Sequence, residues 1–304
     1  MKIVTLTLSP AFDIHCRCDT YQSEHENLAH ILSHDAGGKG VNVSRALCVG
    51  QTPNLAIVLI GRENGDSFLA ALESEGLSTL PFFVDGRIRE NITLHAEGQK
   101  ETRISFPGFT VNGEVLCAVE AAILDAVGTD DAVVTLTGSL PGGIGKDEVK
   151  QMLARLKSNG IKIVVDSRSF TLADLIEVAP FLIKPNEEEI VTYMRRPVET
   201  VEDAIAAAKE LHESGISSVM ISLGAKGAVL SCDAGAFFAP AKSITPISTV
   251  GAGDSSIAGF LCALAKGKRA DECLRYAVAF GSAACLTEGT AAPRKEDVER
   301  LLRN

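Results

Sequence analysis

From Ile3 to Leu8 every residue is apolar or β-branched, which predicts a first buried strand ending at Ser9-Pro10. Loose alternation over 12–21, and again over 27–34, has no helical pattern between the two runs, so they are expected to form an antiparallel pair. A helix begins after Asp35-Ala36-Gly37-Gly38-Lys39-Gly40. A continuous apolar strand over 54–60 follows, and then a helix around Phe68 and Leu72 that ends at Gly76. The runs 80–84, 91–96 and 101–106 read as strands, the last two joined by the turn Glu97-Gly98-Gln99-Lys100. Their polar alternation implies one solvated face, so all three are expected to join the earlier pair in a small separate sheet.

From Asn112 the period changes. Helical spacing (Val115, Val119, Ile123, Val127) gives way to a strand at 132–136, then a helix (Val149, Met152, Leu153, Leu156) ending at Asn159-Gly160. Strands at 161–165 and 181–184 follow, then a helix over 201–212, a strand at 219–223, and a hairpin of 228–231 with 236–239. Helices starting near Asp254, Asp271 and Lys295 finish the chain. Short apolar strands alternating with helices mean an α/β fold around a mostly parallel sheet buried on both faces.

At 304 residues the chain reaches the upper range of one hydrophobic core, so one large domain with a small appendage is the expectation. A net charge of -10 without a basic run argues against a nucleic-acid surface. No stretch nears ~20 uninterrupted apolar residues, so no membrane span is expected. The eight cysteines lack CxxC spacing. Cys48, Cys117, Cys262, Cys273 and Cys285 lie in apolar helical contexts and read as small buried hydrophobes of a reducing cytoplasm, and Cys16 and Cys18 as inert strand residues.

The candidate chemistry lies in loops at the carboxyl ends of strands, where open α/β sheets bind ligands. These are Thr137-Gly138-Ser139-Leu140-Pro141-Gly142-Gly143, Asp166-Ser167-Arg168, Lys184-Pro185-Asn186-Glu187-Glu188-Glu189, Leu223-Gly224-Ala225-Lys226-Gly227, and Ser248-Thr249-Val250-Gly251-Ala252-Gly253-Asp254. In the last, glycines run into a helix N-terminus whose free N–H groups and dipole favour an anion, with a carboxylate beside it. Alone, Asp254 reads equally as an ordinary N-cap. A P-loop is absent, Ser256 stands where a dinucleotide fingerprint needs glycine, and the stretch does not follow the first strand, so a Rossmann dehydrogenase is disfavoured. His30 and His34 fall on a strand, where spacing of four does not favour a metal.

Taken together, Gly37-Gly38-Lys39-Gly40 with Asn42, Asn186 to Glu189 as NxxE, and Thr249 to Asp254 as GAGD resemble the ribokinase-like (PfkB) carbohydrate kinases over the whole chain. Thr5 to Asp13, Gly86 to Asn91 and Phe106-Pro107-Gly108-Phe109 are similar to the branch of 1-phosphofructokinases and tagatose-6-phosphate kinases. Ser9 stands where that branch carries asparagine, and Arg103 in a segment usually less basic.

The resemblance implies a three-layer α/β/α fold forming one domain over 1–304, with a discontinuous β lid over about 11–35 and 80–107. It implies ATP and Mg²⁺, with K⁺ near Ser248 and Val250 as a further family feature. Asp254 would take the proton of the sugar hydroxyl, and the backbone of Gly251, Ala252 and Gly253 would hold the transferring phosphoryl group. Asp13, Gly37, Gly38, Lys39, Asn42, Arg89 and Ser139 would meet the sugar phosphate. Lys184, Asn186, Ser222, Gly224, Gly227 and Thr249 would face ATP, and Glu189 would organise Mg²⁺ through water. Each has a plainer alternative: a turn cap for Asp13, solvated side chains for Lys39 and Arg89, a turn hydroxyl for Ser139, an acidic helix start for Glu189. The expected reaction converts fructose 1-phosphate to fructose 1,6-bisphosphate, with tagatose 6-phosphate or fructose 6-phosphate as alternatives. A catalytically inactive sugar-phosphate-binding regulator is the reading from another class. Apolar lid residues (Ile14, Ile31, Ile92, Leu94, Ile104) lead to the expectation of a homodimer through the lid in a cytoplasmic enzyme.

Overall fold

Residues 1–303 are described by the structure, a computed structural model. In chain order the strands are β1 (Lys2–Thr7), β2 (Ala11–Cys18), β3 (His30–Gly37), β4 (Leu55–Gly61), β5 (Thr79–Val84), β6 (Arg89–Ala96), β7 (Thr102–Ser105), β8 (Ala132–Thr137), β9 (Lys162–Asp166), β10 (Leu182–Ile183), β11 (Ser218–Ser222), β12 (Gly227–Cys232) and β13 (Gly235–Pro240). The helices are α1 (Lys39–Val49), α2 (Gly65–Ser74), α3 (Glu114–Val127), α4 (Lys146–Ser158), α5 (Leu172–Val178), α6 (Glu187–Met194), α7 (Val201–Glu213), α8 (Ala252–Ala265), α9 (Ala270–Ala284) and α10 (Lys295–Arg303).

A nine-stranded sheet has the order β13-β12-β11-β10-β9-β8-β1-β4-β5. It is parallel except for the β12–β13 hairpin at one edge. β1 lies inside it because both its faces are apolar: Val4 and Leu6 enter one core, Ile3 the other. Side chains of α2 to α7 fill the first core, while α1, α8, α9 and α10 cover the opposite face. The three layers expected from the sequence are thus present. The chain runs outward from β1 to β4 and β5, then returns to β8 on β1's other side. That reversal opens a crevice at the carboxyl ends of β1 and β8, the usual ligand position in such sheets.

The second sheet has the order β3-β2-β6-β7. The predicted antiparallel pair is β2 with β3, in a register that sets Asp13 opposite Asp35. β6 joins β2 in parallel and β7 joins β6 antiparallel. The run 80–84 does not belong here. It forms β5, which pairs in parallel with β4 at the edge of the large sheet. An edge strand has one wet face (Phe83 is exposed) and tolerates Pro81, so its pattern mimics that of a lid strand. The small sheet is therefore built from 11–37 and 89–105, narrower than the expected 80–107.

Two further expectations change. Helix α5 lies between β9 and β10, where the sequence suggested a direct passage; its seven residues are too few to show a periodic face. All eight cysteines are free, but Cys48 and Cys117 are exposed, on the outer faces of α1 and α3. Among the described residues, no helix is long and apolar enough to cross a membrane.

Candidate active site

Helix α8 begins at Gly251, whose φ of 76° turns the loop into the helix. The first-turn N–H groups lack acceptors of their own within the helix. The Ala252 N–H leans on the Thr249 carbonyl at 3.4 Å, a long bond that leaves the loop open. Asp254, on the first turn, is only 5% exposed. Its Oδ2 accepts a 3.0 Å hydrogen bond from Asn42 Nδ2 on α1. Burial pushes its pKa up to about 6, with Asp166 adding to the rise and Lys39, Asn42 and Lys184 opposing it. A carboxylate poised near neutrality and lacking a direct ion pair is suited to accepting a proton.

The cations beside it are held by a second carboxylate. Lys39 Nζ donates to Asp166 Oδ2 at 2.9 Å, and Lys184 Nζ lies 4.0 Å from Asp166 Oδ1. Burial alone would raise Asp166, but Lys184 and Lys39 hold it below the usual carboxylate range. Burial likewise opposes the charge on Lys39, yet Asp166 and Asp254 together lift its pKa. A methyl group on Gly253 would stand 2.9 Å from Lys184 Nζ, so glycine lets the buried ammonium reach the helix start. Two lysines and a helix N-terminus thus converge where an anion would lie, with Asp254 at its margin. Asp166 was legible as a carboxylate ending the apolar strand β9, but the sequence reading gave it no role.

Other expected sugar-side residues lie on the small sheet. Asn91 Nδ2 donates to Asp13 Oδ1 at 2.9 Å, and burial raises the Asp13 pKa against the pull of Asn91 and Arg89. Any side chain on Gly37 would collide with Asp13 Oδ2, which explains the glycine there. Arg89 Nε is buried without a hydrogen-bond partner. A forked donor left unsatisfied at a pocket wall suits an anionic or hydroxylic ligand. His15 and His95 share a 3.1 Å ring-nitrogen contact on the same sheet. Arg103 is not brought in: it sits on the outer strand β7 and pairs with Glu101 at 2.6 Å. His34 packs against Phe12, with ring centroids 4.5 Å apart, rather than joining His30 on a metal.

The remaining expected residues divide. Asn186 and Glu189 form a capping box on α6: Asn186 Oδ1 accepts from Glu189 N at 2.8 Å, and Glu189 Oε2 from Asn186 N at 3.1 Å. Glu189 Oε1 also accepts from Arg168 Nε at 3.2 Å. The NxxE stretch therefore has a local structural job. Gly227, at φ 120°, is required because any Cβ there would collide with the Ala239 carbonyl on β13, which accounts for it without a ligand. Ser222 bridges to Asn186 and its N–H donates to Pro185 O at 3.0 Å; Gly224 lies next to Glu187. Ser139 and Thr249 are exposed on the rim, and Gly138 packs on Lys39. Among the described residues no group of three or more His, Cys, Asp or Glu side chains could hold a metal directly. Glu189, a carboxylate lining the same small pocket as Asp166 and Lys184, is chemically suited to the water shell of Mg²⁺, since this ion keeps much of its hydration.

Sequence and structure comparisons show what the chain is similar to. The model of the pfkB family carbohydrate kinases matches residues 7–297. A 1-phosphofructokinase of Haemophilus influenzae is 32% identical over 282 residues, 91% of this chain and 89% of that protein. Phosphofructokinase-2 of Escherichia coli, solved with substrates and products, superposes with a TM-score of 0.90 at 27% identity, covering 100% of this chain and 99% of that one. The same enzyme solved with potassium gives 0.89 at 27% identity, over 99% and 98% of the two chains.

Proposed function

The chain belongs to the pfkB family of carbohydrate kinases, and from that premise we propose that it phosphorylates fructose 1-phosphate to fructose 1,6-bisphosphate. It is a sugar kinase using ATP and Mg²⁺. The observations carrying the finer reading are the buried, proton-hungry Asp254 at the α8 N-terminus and Arg89, whose Nε is buried without a partner.

In this reading the sugar lies between the small sheet and α8, its hydroxyls on Asp13 and its existing phosphate on Arg89 and Lys39. Gly37 and Gly38 let the chain approach it closely, Asn42 touches it beside Asp254, and Ser139 contacts it from the rim. Asp254 takes the hydroxyl proton as the sugar oxygen bonds to the γ-phosphorus; the bond to the β-bridging oxygen breaks and ADP leaves. First-turn N–H groups at Gly251, Ala252 and Gly253 and the Lys184 ammonium hold the charge of the moving phosphoryl group. Mg²⁺, when bound, neutralises the polyphosphate, with Glu189 contacting its water shell. Asn186, Ser222, Gly224 and Thr249 line the nucleotide side. K⁺ at the 248–250 loop is supported by the potassium complex of the Escherichia coli relative.

The small sheet acts as a lid within a single domain, excluding water that would otherwise accept the phosphoryl group. Ile31 is 67% and Leu32 60% exposed on it, with Ile104 and Phe106 also bare, whereas Ile14 packs against the main core. A second copy's lid is the natural cover, giving a homodimer.

A screen of ADP release across fructose 1-phosphate, fructose 6-phosphate, tagatose 6-phosphate and the free sugars tests the assignment. The highest kcat/KM is expected on fructose 1-phosphate. Preference for another sugar would move the substrate, and binding without turnover on any of them would make the chain a sugar-phosphate sensor.

A further inference from the structure

Arg45 is a charged residue in the buried part of α1, only 8% exposed among Val41, Val43, Ala46 and Leu47. Its guanidinium has four hydrogen bonds. Nε and one terminal nitrogen grip the Glu75 carboxylate, the latter at 2.8 Å. The same terminal nitrogen donates to the Ala36 carbonyl, at the exit of lid strand β3. The other donates to Asn42 Oδ1 at 3.2 Å. Asn42 in turn donates from Nδ2 to Asp254 Oδ2 at 3.0 Å. One continuous chain of bonds thus runs from the lid exit to the proposed base.

We propose that Arg45 is a positioning residue that fixes the Asn42 amide with its N–H toward Asp254 and ties that orientation to the position of the lid exit. This rests on the reading of Asp254 as the proton acceptor. The two ends of an amide are nearly isosteric, so only surrounding donors and acceptors decide which way it faces. Arginine has donors and no acceptor, so whatever Asn42 turns toward Arg45 must be its carbonyl oxygen. The N–H end is then left for the carboxylate. Without the guanidinium the amide is free to turn over and present its oxygen to Asp254. That arrangement disfavours the ionised base and favours the protonated one. Ala36 precedes Gly37, the residue Asp13 packs against, so movement of the lid strand is transmitted to the same guanidinium.

The groups facing Asp254 are Lys39 and Asn42 from α1, Asp166 from the end of β9 and Lys184 following β10; Glu75, following α2, faces Arg45. The hydrogen-bonded route from Arg45 to Asp254 runs through Asn42.

The test is the pH profile of kcat, at saturating ATP and sugar phosphate, for wild type, Arg45→Met, Asn42→Ala and the double variant. Saturation keeps the titration of free sugar phosphate, whose second pKa is ~6, out of the profile. Arg45→Met is expected to move the acid limb upward by ~1 pH unit, the worth of one hydrogen bond to a charged group, and to lower kcat roughly tenfold at pH 8. Added to Asn42→Ala it is expected to move the limb no further. An acid limb left at the wild-type position in cooperatively folded Arg45→Met, or a full extra shift in the double variant, would overturn the proposal. Should the methionine variant not fold, Arg45→Lys is read by the same criterion, since lysine keeps the charge but lacks the fork whose separate nitrogens reach Glu75, Ala36 and Asn42. Asp254→Asn run in parallel separates the two levels. Turnover surviving in that variant removes the base assignment itself, whereas its loss together with an unmoved limb in Arg45→Met removes only the role of Arg45.

Discussion

Replacing Asp254 by asparagine is expected to make the protein more stable and nearly inactive. The carboxyl titrates at about 6 in the fold against 3.8 for the ordinary group, chiefly because it is buried. Between those two values the folded chain keeps a proton that the unfolded chain has released. Stability therefore falls as pH rises through that window and levels off above about pH 6. The gap corresponds to ~3 kcal/mol of destabilisation in the ligand-free enzyme at neutral pH. Asparagine keeps the shape and an oxygen for Asn42 but carries no charge. With an unfolding entropy of ~2.1 cal/mol/K per residue over 304 residues, the variant's Tm is expected to rise by up to ~5 °C at pH 8. The gain should fade on acidification and vanish below pH ~4. In the coupled ADP-release assay kcat is expected to fall by ~10²–10⁴, the usual contribution of a general base, with little change in sugar KM. Scanning calorimetry at several pH values and steady-state kinetics on one preparation give both readouts. A Tm difference that is zero, negative or independent of pH would refute the burial argument. A kcat within ~10-fold of wild type would refute the base assignment.

Arg89→Ala is expected to raise KM for sugar phosphates far more than for free sugars, because it removes the forked donor whose Nε lacks a partner in the fold; equal effects in parallel assays would place the phosphate elsewhere. Leu32→Glu, at a lid position 60% exposed, is expected to shift a dimer to monomer in sedimentation velocity, whereas an unchanged species would put the subunit contact on another face.

The alternation of short apolar strands with amphipathic helices was enough to read the layered sheet, because residues buried on both faces admit no other partner than helices above and below. The GAGD loop, Lys39, Asn42 and Asp13 stood out only through their combined resemblance to one family, since alone each had a plainer task, an N-cap for Asp254 and a turn cap for Asp13. For residues with two possible tasks the sequence left both open. Asn186 and Glu189 cap a helix whatever else they touch, and Gly227 is held by its contact with β13. Arg45 reads as one charge in a helical run until Glu75, Ala36 and Asn42 close around it.

Pairing at a distance was likewise beyond the one-dimensional pattern. The strand at 80–84 alternates as a lid strand does, yet it finds β4 because α2 is a short crossover that returns the chain to the large sheet. The charges at the site follow the same rule. The sequence by itself determined that an aspartate stands at a glycine-rich helix start. Only the tertiary structure decided that it is buried beside Asn42, with Lys39 and Lys184 near Asp166, and so retains its proton to about pH 6. A side chain's identity is local, but its solvation and its neighbours' charges are set by segments far away in the chain.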